Sequence, residues 1–557
     1  MKRRLYYMLF LSTVMVLSVS CKKYLTVEPE GYVQEENTFK TAADAITTVN
    51  GLYAQMLPLV DQIFLAGEAQ GDLAVAARGA DKYITEFAEN RVTASNPYAD
   101  YTKFYRLILA CNRALDGLDQ ILRADPVNYN RAVYLSNRAE VYYVRAWTYL
   151  QLVKIWGDVP YVTGTVTKAE QVSNLAPEKS ATIIKKILKD AEDNFSTILT
   201  INSDFLGTGN DFQLTIGQFR DLSGRCLLAE LYLYDGNYNK AWEIISVIEP
   251  FGVYPSSGGD ALNVFGMFQG QWVNWDSGQS RRDGNQYQRQ VVMAINFDAT
   301  KNQTNSLMKW TNNKYGGQYA LKPSSIAIKN WTSAPMMLQQ YQITPALGYY
   351  INESYNAGNG PLEVLDPDGN PIIGGYGDYI RGEKGSYFVD GRDTLMFKFL
   401  MKSRGVPKNP LINDKYADND AFFNVYRDGP MYLLACEIMN NMGVPSQALL
   451  TMNGGSYNAY VYKSTRYRVG VAPFKIDFSS PEPAKKQVAR FLIQESAMEC
   501  AFEGRRWFDL VRIAKQANDP ALLADAVAKK YPASRQAEVR ARLMNPANWY
   551  LPVYKKN

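Results

Sequence analysis

The chain has 557 residues, 46% of them hydrophobic, 21% charged and 13% aromatic, with a formal net charge of +5, five cysteines and no histidine. Without imidazole there is no Ser-His-Asp or Cys-His nucleophile, no His-Glu-x-x-His zinc site and no histidine general base. Carboxylate chemistry and binding without chemistry pass this filter, and the length calls for several domain-sized cores or one large helical array.

Lys2, Arg3 and Arg4 precede an apolar run from Leu5 to Val19. The run is short for a spanning helix, which takes roughly 20 apolar residues. It meets Ser20-Cys21, and a charged start, a short apolar stretch and small residues predict an export signal over 1–20. Cys21 directly after a small residue resembles a bacterial lipoprotein lipobox, with Leu17 as its apolar position. That resemblance implies cleavage before Cys21, lipid attachment to its sulfur and anchorage at a membrane surface. Ordinary secretion with an incidental Cys21 is the alternative. Loss of 1–20 removes three positive charges and leaves the mature chain close to neutral, so a nucleic-acid partner held by a basic surface is not expected.

Apolar residues at helical spacing predict helices over 40–57, 98–123, 131–156 and 178–199. The third stops at Gly157-Asp158-Val159-Pro160, where Gly and Pro cannot continue it. Residues 216–249 read as helix, turn, helix, with the break at Asp235-Gly236-Asn237. Between about 250 and 428 the pattern gives way to Gly, Pro, Asn and β-like runs at 290–297 and 394–400. Helical pairs return at 429–442 and 446–453, then at 485–503 and 505–516, with a last helix near 520–530 and an extended C-terminus. A 34-residue helix-turn-helix unit that stacks on its neighbours is the tetratricopeptide architecture. The expected fold is therefore mainly α, with tetratricopeptide-like helix pairs and an inserted lobe of loops and short strands. Cys111, Cys226, Cys436 and Cys500 each sit alone in an apolar helical stretch, which predicts buried free thiols.

Four segments, in order along nearly the whole chain, resemble the SusD/RagB family of Bacteroidetes outer-membrane nutrient-binding lipoproteins. They are CKKYLTVEPEG at 21–31, AEVYYVRAWTYLQLVKIWGDVPYV at 139–162, YRDGPMYLLACEIMNNMG at 426–443 and ESAMECAFEGRRWFDLVRIAK at 495–515. In the third, Arg427, Leu434, Ala435 and Glu437 match the family pattern, while Gly429-Pro430 replaces its usual Ala-Asp. The resemblance implies one SusD-like domain over 21–557, with a helical scaffold at about 40–249 and 429–530 and a ligand-face lobe at about 250–428. It also implies attachment to the outer membrane, at the cell surface, by acylated Cys21. The implied partner is a SusC-like TonB-dependent transporter, and the implied ligand is a glycan or, in some members, a peptide. No cofactor is implied.

Three features invite a site. Glu499 and Glu503, four apart, could be a glycosidase acid/base pair. Carboxylates one turn apart more often brace a helix, as do Arg505 and Asp509. Asp366-Pro-Asp368-Gly-Asn370 opens like a calcium loop but lacks the sixth-position Gly and the twelfth-position acid, so a hairpin turn without metal is expected. The stretch 251–360 is the informative one. It has 13 charged side chains in 110 residues, 23 Asn and Gln, and four of the nine tryptophans. Ring faces and neutral amides suit a neutral polyhydroxylated ligand. A phosphorylated or strongly acidic ligand would call for Arg and Lys clusters. Trp272, Trp275 and Trp310, with Tyr287, Tyr315 and Tyr319, are the candidate ring faces. Trp331 lies in the same stretch, and each ring could equally belong to the lobe's own core. The resemblance places a second rim, Asp72, Arg78 and Tyr83, near the ligand face. The expected function is capture of an oligosaccharide without catalysis. A peptide-binding member of the family, a helical-repeat scaffold and a carboxylate glycosidase remain alternatives.

Overall fold

The computed structural model describes residues 38–162, 164, 168–195, 217–219, 221–248, 291–313, 316–337, 342–343, 350–351, 373–378, 381–383, 385–399, 421–453, 465–466, 469 and 471–555. Long helices come first. They are α1 (Ala42–Met56), α2 (Thr102–Ala124), α3 (Arg131–Trp156), α4 (Ser180–Phe195), α5 (Asp221–Asp235) and α6 (Tyr238–Ile248). A second set follows: α7 (Asp428–Asn441), α8 (Pro445–Asn453), α9 (Ala484–Glu499), α10 (Arg506–Gln516), α11 (Ala521–Ala528) and α12 (Ala533–Leu543). Consecutive helices pack as pairs, α2 on α3, α5 on α6, α7 on α8 and α11 on α12, and α6 packs on α7. The fold is mainly helical with tetratricopeptide-like pairing, as the sequence predicts.

Local chemistry sets the helix ends. Thr41 and Asp44 form a capping box on α1, which satisfies two of the N–H groups a helix leaves free at its start. The Asn130 side chain accepts from the Ala132 and Val133 amides and caps α3. Gly157 ends α3 at φ +74, a left-handed conformation that side chains with a Cβ rarely adopt. Phe104, Leu107, Ile108, Cys111, Leu115 and Leu118 form one buried stripe on α2. Trp156 closes the α3 end, with its indole N–H on Ala99 O at 3.1 Å and Tyr101 and Phe104 edge-on to its ring.

The described part of the lobe consists of short antiparallel strand pairs, one of them completed by β1 from the N-terminal segment, and the short helices Leu307–Thr311 and Ser325–Thr332. β1 (Ala74–Ala76) pairs with β3 (Leu321–Pro323), β2 (Val291–Ile295) with β10 (Phe423–Arg427), β4 (Pro335–Met337) with β7 (Ile373–Tyr376), β5 (Gln342–Ile343) with β6 (Tyr350–Ile351), and β8 (Tyr387–Asp390) with β9 (Asp393–Met396). One continuous hydrophobic core joins helices and ribbons, from Ala45 on α1 through Trp331 and Phe388 to Trp549. The four cysteines at 111, 226, 436 and 500 are buried free thiols, and burial pushes those of Cys111 and Cys500 up to about 12. No described helix is long and apolar enough to cross a membrane.

Two boundaries differ from the periodicity. The helix expected over 485–503 ends at Glu499. Phe502 and Gly504 take φ of +64 and +72, so the chain makes a tight turn before α10. A Cβ on Gly67 would lie 1.8 Å from Gly504 O, so the helical turn at 65–69 packs backbone to backbone on this loop. The sequence also gives no sign of α12, whose polar Ala533–Leu543 segment buries only Val539 and Leu543.

Candidate ligand-binding rim

The loop before β1 is tied down from the C-terminal helices. Lys530 Nζ donates to Ala69 O at 3.0 Å and Gly71 O at 2.6 Å, and burial pushes its pKa down to about 7. Arg506 donates to both oxygens of Asp72, at 2.6 and 2.9 Å. The ribbon then runs Ala74↔Pro323, Val75↔Lys322 and Ala76↔Leu321. It continues through Ala77 N to Ala320 O at 2.8 Å and Gly79 N to Tyr319 O at 3.0 Å. This register brings Arg78 beside Tyr319.

The β8–β9 hairpin completes the rim. It turns through Gly391, at φ +62, between the paired residues Asp390 and Asp393. The Arg78 guanidinium makes a two-armed pair with Asp393, Nη1 to Oδ1 and Nη2 to Oδ2, the latter at 2.7 Å. It also stands over the Tyr319 ring, 4.8 Å from the centroid. Asn313 Nδ2 donates to the same Asp393 Oδ2 at 2.7 Å. The Tyr319 hydroxyl donates to Thr394 O at 3.0 Å and accepts from Thr394 N at 3.2 Å. The ring that carries the guanidinium is thus fixed to β9. The bond from Arg78 holds the Asp393 carboxyl below its ordinary range, and Asp393 raises Arg78 in return. The Arg78 side chain is still 64% exposed. Tyr83 is half-buried on the short helix Lys82–Ala88, with Lys82 Nζ 4.7 Å above its ring.

The structure separates the expected site residues. Arg78 and Tyr319 come together, and Tyr83 stands nearby in sequence. Trp310 is only 3% exposed, packed between Phe64 and Tyr98, so it offers no open ring face and belongs to the core. Asp72 is buried and fully engaged by Arg506, so it builds the rim without facing a ligand. Trp331 is buried, with its N–H on Met498 O at 3.3 Å. Trp272, Trp275, Tyr287, Tyr315 and residues 366–370 lie outside the described residues. Among the described residues no group of three or more Cys, Asp or Glu could hold a metal. Asp393 and Asn313 were missed by the sequence reading. The one local signal was Asp390-Gly391, a strong hairpin dipeptide.

The second dense cluster is interior. Arg427 donates to Glu503 through Nε at 3.0 Å and Nη2 at 2.6 Å, and to Glu499 through Nη1 at 2.9 Å. Lys398 Nζ reaches Glu503 at 2.8 Å. Arg381 bonds Asp378 at 2.6 Å, Glu495 at 2.7 Å and Glu499 at 3.2 Å, and Arg466 holds the other Glu495 oxygen at 2.7 Å. Burial works to lower the Arg427 pKa, and the Glu503 and Glu499 carboxylates outweigh it and leave it raised. Asp509 is held down by Arg505 and Arg512 against the opposing effect of burial. Glu68 is different. Burial pushes its carboxyl up to about 8, although the Phe502 and Gly504 amides donate to it at 2.9 and 3.0 Å. The Gly429 departure from the family pattern has a physical reason here. A Cβ at that position would lie 2.1 Å from Glu499 Oε1 and 2.6 Å from Arg427 Nη1.

The architecture so defined is a stacked helix-pair scaffold with a strand-and-loop lobe. A model described as "Starch-binding associating with outer membrane" matches residues 23–202, and the SusD family model matches residues 384–557, well over half of the chain together. The SusD-like protein P38 of Formosa agariphila is 23% identical over 89% of this chain and 88% of its own. A SusD superfamily structure from Bacteroides vulgatus superposes with a TM-score of 0.62 at 14% identity, covering 93% of this chain and 96% of that one. A structure from the same organism, described as a SusD-like carbohydrate binding protein, gives 0.54 at 13% identity, covering 85% and 84%. The chain belongs to the SusD/RagB family.

Proposed function

We propose that this protein captures a neutral oligosaccharide at the outer cell surface and passes it to a SusC-like TonB-dependent transporter. Acylated Cys21 anchors it to the outer membrane. The observation that carries the binding half is the rim at Arg78. An exposed guanidinium, fixed in place by Asp393 and Tyr319, offers hydrogen-bond donors beside a lobe rich in amides and aromatic rings. Arg78, Tyr83, Trp272, Trp275, Tyr287 and Tyr315 are the proposed contacts. A related structure described as carbohydrate binding supports the ligand class, and the outer-membrane description of the first family model supports the location.

The reading is non-catalytic. Glu499 and Glu503 are buried and tied to Arg427, Arg381 and Lys398, which suits a brace and leaves no route for a glycosidic oxygen. The test is a glycan array run with an assay for new reducing ends. Neutral oligosaccharides bind, binding drops at least about tenfold in a Trp272→Ala, Trp275→Ala double variant as stacking contacts are lost, and no reducing ends appear. Peptide binding without a sugar signal, or release of reducing ends, would contradict the reading.

A further inference from the structure

A lone exposed arginine at a sugar-binding rim attracts carboxylates and sulfates, because its planar fork matches them in geometry and charge. Arg78 is not lone. Asp393 takes one hydrogen from each of its terminal nitrogens. Three of the five donors of the fork, the Nε hydrogen and the outer hydrogen on each terminal nitrogen, meet no acceptor among the described residues, and the side chain is 64% exposed. Tyr319 covers one face of the group. The result is a donor array whose charge is cancelled within hydrogen-bond distance.

Other charges stand close to the pair. Lys322, exposed on β3, also acts on Asp393 and favours its charged form. Asp390 sits across the hairpin from Asp393, with Asn313 Nδ2 at 3.5 Å. Arg392, exposed in the same turn, adds a third cation to Arg78 and Lys322, so the Arg78 charge is cancelled by its own pair with Asp393 and not by a balanced surround. Asn313 and the Tyr319–Thr394 bonds hold Asp393 in register, so its carboxylate cannot easily swing away to admit a competing anion.

We infer that Asp393 is a specificity-determining residue, which turns Arg78 into a neutral donor and excludes acidic sugars from the rim. This rests on the oligosaccharide reading above. A ligand carboxylate approaching Arg78 would displace, or be repelled by, a carboxylate already seated on it, and rejection of this kind is one of the two routes to specificity, beside added attraction. Hydroxyl groups meet no such opposition.

The test uses the full mature chain, a panel of neutral oligosaccharides and the same oligosaccharides with their primary hydroxyls oxidised to carboxylates. Wild type binds neutral chains and not the oxidised ones. Asp393→Asn keeps the shape and removes the competing charge. It gains at least about tenfold in affinity for oxidised chains, the order expected when an arginine–carboxylate pair becomes available, and the gain shrinks at high salt because it is ionic. Adding Arg78→Gln to that variant abolishes the gain. Asp393→Ser, checked by circular dichroism, repeats the experiment with a smaller side chain should the amide disturb the hairpin. Neutral binding by wild type with no gain in either variant would overturn the role of Asp393 alone. Wild-type binding of oxidised chains as tight as of neutral ones would overturn it as well. Absence of any sugar binding in wild type and variants would overturn the oligosaccharide reading, and this inference with it.

Discussion

The molecule uses arginine–carboxylate pairing in two places with opposite exposure. In the interior, Arg427 is 1% exposed and shares Glu499 and Glu503 with Arg381 and Lys398. At the rim, Arg78 makes an equally regular two-armed pair with Asp393 but faces water. The interior charges have lost their hydration, so each depends on its partners, and removing one leaves an opposite charge stranded. The rim pair is screened by solvent and contributes little to stability. A fixed but exposed pair with spare donors is therefore better explained by recognition than by folding.

The contrast can be broken from its strongest side first. Arg427→Ala leaves Glu499 to Arg381 and Glu503 to Lys398, with one buried negative charge in excess, and is expected to cost about 3–5 kcal/mol, read as a fall in the urea midpoint at unchanged slope. Glu68→Gln probes the interior by pH. The folded carboxyl titrates near 8 against a usual value of 4.5, so the folded state holds an extra proton between those limits. Its contribution is full below about pH 4.5 and is lost as pH rises through 8. Glutamine cannot ionise, so the Tm deficit of the variant against wild type is largest near pH 5 and shrinks toward pH 9. A deficit independent of pH would refute the raised value. The smallest stability effect falls at the rim. Arg78→Ala is expected to leave the midpoint of the same urea titration indistinguishable from wild type.

The helices were legible in the sequence because their signals are local. Asn130 and Gly157 bracket α3, and Asp235-Gly236-Asn237 separates α5 from α6, all within a few residues of the ends they set. Glu499 and Glu503 were read as bracing one continuous helix, whereas the helix ends at Glu499 and both carboxylates pair with Arg427, Arg381 and Lys398 from other elements. The left-handed turn at Phe502 and Gly504 is imposed by backbone packing on Gly67, which lies hundreds of residues away. The rim was only half legible. Arg78 was named through the resemblance, but its partner is 315 residues distant, and no local pattern reports such a pair. Low charge and abundant rings marked 251–360 as a whole. That signal does not distinguish a core ring such as Trp310 from an exposed one.

The central claim, that the Arg78 rim binds a neutral oligosaccharide and does not serve folding, is tested most directly by calorimetric titration of wild type and Arg78→Ala with the tightest neutral chain from the array. The account predicts at least about a tenfold loss of affinity as the guanidinium hydrogen bonds to the ligand are lost, with an unfolding midpoint indistinguishable from wild type. Unchanged affinity in a folded Arg78→Ala protein would contradict it.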